Sequence, residues 1–76
     1  MNAREWLVAY AEKLGTTAPS NEEFKTLLDV AAEAAHSSER VAAPVACWLA
    51  ARAGVEPAEA LRVARDLGYG PSGADG

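Results

Sequence analysis

Apolar residues recur every three or four positions in four separate stretches of this chain, and nowhere do they alternate long enough to form a strand. The first stretch predicts a helix from about Ala3 to Leu14, with Trp6, Leu7, Tyr10 and Leu14 on one face and Glu5, Glu12 and Lys13 off it. Gly15 follows as a left-handed stop, and the next residues, TTAPS, are a loop by composition. Ser20 precedes Glu23 by three, the spacing at which each side chain satisfies the other's backbone donor. A second helix is therefore expected to about His36, turning Phe24, Leu27, Leu28, Ala31 and Ala35 inward and Lys25, Asp29 and Glu33 outward. Pro44 suits the first turn of a third helix, because the N–H it lacks has no partner there. From Ala42 to Ala53 only Arg52 is charged, and a helix apolar nearly all round is normally buried on most sides. This third helix is thus expected at the centre, with Val45, Trp48 and Leu49 buried and Cys47 largely protected. Gly54 ends it. Pro57 opens a fourth, with Ala60, Leu61, Ala64 and Leu67 inward and Glu59, Arg62, Arg65 and Asp66 outward, and Gly68 closes it.

The expected fold is all-α: a compact four-helix domain over residues 1–68, with a central, nearly all-apolar third helix. Short loops make successive helices neighbours. Residues 69–76 are too rich in glycine to fold alone and are expected to be a flexible tail, with Tyr69 its one residue suited to docking. No internal repeat and no second domain is visible.

Composition thins this core. Half of the 76 residues are hydrophobic, but alanine is the largest contributor to that half; the larger apolar side chains are few, chiefly seven leucines, six valines and five aromatic residues. A domain this short lies near the lower limit of self-sufficient folding. Ala32, Ala46 and Ala50 are left over once inward faces are chosen, so a homodimer through the second and third helices, or a fixed protein partner, is expected. Net charge is −4 with no run of Lys or Arg, which argues against nucleic acid and against a charged membrane surface as partners. No stretch of eighteen apolar residues occurs, and the residues after Met1 lack the architecture of a signal peptide, so the expected address is cytoplasmic. A single cysteine excludes an internal disulfide framework.

Candidate chemistry concentrates in the joint between the second and third helices. Glu33 and His36 have the Glu-x-x-His spacing used in carboxylate-bridged metal sites of helical bundles, and Asp29 extends that stripe. Such a site needs the motif twice, and this chain has it once, so no metal and no cofactor is expected. Arg40, with Ser37, Ser38 and the start of the third helix, has the parts of an anion site; a solvated surface arginine is the plainer reading. No glycine-flanked elbow surrounds either serine, and Cys47 has no histidine at useful spacing, so catalysis is not expected. His36, Ser37, Ser38, Arg40 and Pro44 are instead the candidate contact surface.

Two patterns extend beyond this joint. Ala50 to Gly68 follows the spacing of a helix-turn-helix, with Gly54 in the turn and Val55 between the helices. A DNA reading needs basic or polar groups on the next turn, which here holds Glu56, Pro57, Ala58 and Glu59. Separately, Asp29, the Ala-Ala-His ending at His36, Arg40, and Ala43-Pro44 leading into an apolar helix resemble a small actinobacterial helical domain. With Trp6 and Pro57 the likeness covers most of residues 3–68. Val41 stands where many relatives are expected to carry proline. The resemblance implies stand-alone proteins or attachments to the molybdenum-cofactor guanylyltransferase, and it brings no established activity. The function expected is that of a non-catalytic interaction or accessory domain linked to molybdenum-cofactor maturation. The alternatives are a divergent helix-turn-helix regulator and a metal- or anion-binding bundle.

Overall fold

In the computed structural model, which describes residues 1–68, the chain forms four helices: α1 (Ala3–Leu14), α2 (Asn21–Ser37), α3 (Ala42–Ala53) and α4 (Pro57–Gly68). The fold is all-α, with no strand among the described residues. The tail and Tyr69 lie outside the described residues.

Each boundary has a local cause. Ser20 caps α2: its hydroxyl accepts from the Glu23 amide at 3.1 Å, and the Glu23 carboxylate accepts from the Ser20 amide at 2.8 Å. The same reciprocal box opens α1, where Asn2 Oδ1 accepts from the Glu5 amide at 2.8 Å and Glu5 returns the bond at 3.0 Å. The sequence reading missed that box, although Asn-x-x-Glu has the required spacing. Gly15 and Gly54 stop α1 and α3 at φ 81° and 76°, the left-handed region that costs a side chain about 1–2 kcal/mol. In each case the next residue closes the end: Thr16 N–H donates to Ala11 O at 2.9 Å, and Val55 N–H donates to Ala50 O at 3.2 Å. Helix α3 begins at Ala42, so Pro44 occupies its first turn as expected.

The centre of the domain is α2, not α3. Helices α3 and α4 both pack on α2, and Val30 of α2, 2% exposed, is the only buried side chain larger than a methyl among the described residues. The expected core of α3 is reversed: Val45, Trp48 and Leu49 are 55%, 57% and 54% exposed. The reason is geometric. With one neighbour to pack against, α3 buries one face only. That face is the small one, with Ala43, Ala46, Cys47 and Ala50 partly buried, which lets backbones approach closely and leaves the large residues outside. Helix α1 makes a comparable turn, burying Ala11 and partly burying Leu7 while Trp6, Tyr10 and Leu14 stay exposed. It meets the start of α2 through Arg4, whose guanidinium lies 4.8 Å from the Phe24 ring centre and donates to Pro19 O at 3.4 Å. Leu28 and Leu67, expected inside, are also exposed. Ala46 and Ala50, expected as leftover surface, are partly buried, whereas Ala32 is exposed as expected.

Candidate functional site

The joint from His36 to Pro44 is built by the end of α2 and the start of α3. Helix α2 closes at Ser38, whose amide and hydroxyl both donate to Ala34 O at 3.1 Å. The chain then turns through Ala42 N–H to Glu39 O and Ala43 N–H to Arg40 O, at 2.9 and 3.1 Å, and enters α3 with Val41 already in helical conformation. Val41 therefore needs no proline to take a φ of −65°.

His36, Ser37, Ser38, Arg40 and Pro44 are all exposed. The structure brings Ser37 and Ser38 to the wall of an open hollow of about 300 Å³ with Glu33, Ala42, Ala64 and Leu67, while His36, Arg40 and Pro44 lie outside that wall. The five do not assemble a pocket. The Ser38 hydroxyl is engaged by its own helix, and Arg40 forms no ion pair among the described residues. No group of three or more His, Cys, Asp or Glu able to hold a metal occurs among the described residues. Cys47 places its Sγ 3.9 Å from Leu27 O, and burial pushes its thiol pKa up, away from the reactive thiolate.

A larger feature, missed by the sequence reading, lies where α3 and α4 both rest on α2. Between them runs an open groove of about 330 Å³, walled by Leu49, Ala53 and Val55 on one side and Val63 and Leu67 on the other, with Val30 in its floor. Val55 belongs to the turn, as the helix-turn-helix spacing requires, but it lines this groove and stays exposed. Beyond Leu49 the apolar surface continues onto the outer side of α3, through Val45, Trp48 and Val41, all exposed. Arg52 is the sole charge on that helix, and its guanidinium lies 5.1 Å from the Trp48 ring centre. The signal was present in the sequence as size rather than polarity: α3 carries its large residues on one side and its small ones on the other.

On α4 the outer side is charged and internally matched. Arg62 donates to both Glu59 oxygens, at 3.0 and 2.6 Å, and to Asp66 at 3.0 Å. Its hydrogen bonds to Glu59, and then their mutual attraction, hold the Glu59 carboxyl below its ordinary value and raise the guanidinium's own. One of the two arginines that a DNA-facing α4 would offer is thus occupied by carboxylates.

No helix among the described residues is long and apolar enough to cross a membrane. The chain matches no curated protein and no solved structure. A family model does match, over residues 1–70, and on that extent the chain belongs to DUF6457, a domain of unknown function.

Proposed function

We propose that this chain is a non-catalytic helical interaction domain that docks a protein partner on the apolar surface running from the outer side of α3 into the α3–α4 groove. One observation carries the reading: Val45, Trp48, Leu49, Val63 and Leu67 are all exposed, while the interior holds a single larger side chain among the described residues. Contiguous apolar surface of this kind marks a docking site rather than ordinary exposure. The joint residues His36, Ser37, Ser38, Arg40 and Pro44 suit the polar rim of such an interface, where contacts orient more than they bind. In this reading the domain works without cofactor or metal and in the cytoplasm. Net charge of −4 and the carboxylates held on Arg62 argue against nucleic acid as partner.

The likeness of the His36…Arg40…Ala43-Pro44 segment to domains attached to the molybdenum-cofactor guanylyltransferase makes that enzyme the partner to test. Sedimentation of the purified domain with the guanylyltransferase of its own host is expected to show a complex at tens of micromolar. Leu67→Glu in the groove should abolish it with helicity unchanged. A wild-type mixture that sediments as separate species removes the link to this pathway, and a complex that survives Leu67→Glu moves docking off the groove.

A further inference from the structure

Resting on the docking reading above, we infer that the partner segment received by the α3–α4 groove is an amphipathic α-helix of about three turns, with a lysine or arginine directed at Glu33. Its length comes from the walls. The groove does not stop at Leu67: Ala46, Ala64 and Leu67 also wall the hollow of about 300 Å³ that reaches Glu33, Ser37 and Ser38. The two hollows form one trough along α3, from Ala53 near the turn to Ala42 at the joint. The 12 residues of α3 span about 17 Å, roughly three turns of a helix laid beside them.

The chemistry of the walls selects a helix. Over the groove half, every lining side chain is alanine, valine or leucine. A chain entering there finds no side-chain partner for its amides and carbonyls, and unmet backbone groups are expensive away from water. An extended segment would need a sheet edge to pair with, and the described residues hold no strand. A helix brings its backbone hydrogen bonds with it and offers apolar side chains at three- and four-residue spacing. No helix of the chain takes that place among the described residues, since α1 meets the start of α2 through Arg4.

Charge fixes one end. Glu33 is the only charged residue on the walls of the trough. It is partly buried and forms no ion pair among the described residues. Once the trough is covered, water no longer screens that carboxylate well, so an acidic residue set against it is disfavoured and a basic one favoured.

Three synthetic peptides of about 14 residues test this against the full chain. Two share a leucine stripe at four- and three-residue spacing and differ only at the end of that stripe, where one carries lysine and the other glutamate. The third has the lysine peptide's composition in scrambled order. Amide NMR shifts of the domain are followed as each is added. The lysine peptide is expected to shift Val30, Leu49, Val63 and Leu67, and the glutamate peptide to bind about fivefold more weakly. Glu33→Gln should remove that difference, and the scrambled peptide should leave the trough unshifted. The inference is overturned if the lysine peptide does not enter the trough, if the scrambled peptide binds there equally well, or if the preference for lysine survives Glu33→Gln. A guanylyltransferase complex lost in Leu67→Glu, with no peptide entering, keeps the docking surface and overturns the helix. Entry of the lysine peptide without a guanylyltransferase complex keeps the helix and removes only the pathway link.

Discussion

Arg62 and Glu59 form the one bidentate ion pair among the described residues, and both are well exposed to water. Their pairing is legible in pH rather than in stability, since an exposed pair of this kind contributes little to folding. Because the Glu59 carboxyl is held below its ordinary value, whatever stabilisation the pair gives is present above the unfolded-state pKa, about 4.3. It is lost as pH falls through the lower folded-state value. An NMR titration of the Glu59 carboxyl should therefore give a midpoint below that of an ordinary glutamate, and Arg62→Gln should return it to the ordinary range. A midpoint unchanged by that substitution would mean that the pair does not persist in solution.

At the scale of elements, the division of labour between α2 and α3 decides stability. Val30 is buried on α2 in the floor of the groove that α3 and α4 flank, so Val30→Ala should cost about 2 kcal/mol through lost transfer and a cavity. Trp48→Ala should cost less than Val30→Ala despite removing far more atoms. Denaturant unfolding of the two variants side by side checks the order, and the reverse order would put α3 back at the centre. The contrast also shows what could be read in advance. Ser20 with Glu23, Gly15, Gly54 and Pro57 located the helix ends because caps and stops are local chemistry. The inward face of α3 was not readable from polarity, because a helix apolar on every side has no polar face to mark the outside. The stripe of Ala43, Cys47 and Ala50 opposite Val45 and Trp48 held the answer in side-chain volume. The joint at His36–Pro44 was recognisable as a joint, but whether its side chains converge depends on helix directions, which spacing along the chain does not encode.

For the whole molecule, the outer face of α3 stands open to water in the single chain. Trp48 reports on that face directly once the second tryptophan is removed as Trp6→Phe, a change at an exposed position of α1. Fluorescence of this variant would be followed as iodide is added to the isolated domain. The predicted result is water-exposed emission that iodide quenches freely. Emission already at short wavelength and shielded from iodide, in a sedimenting monomer, contradicts the placement of α3 itself.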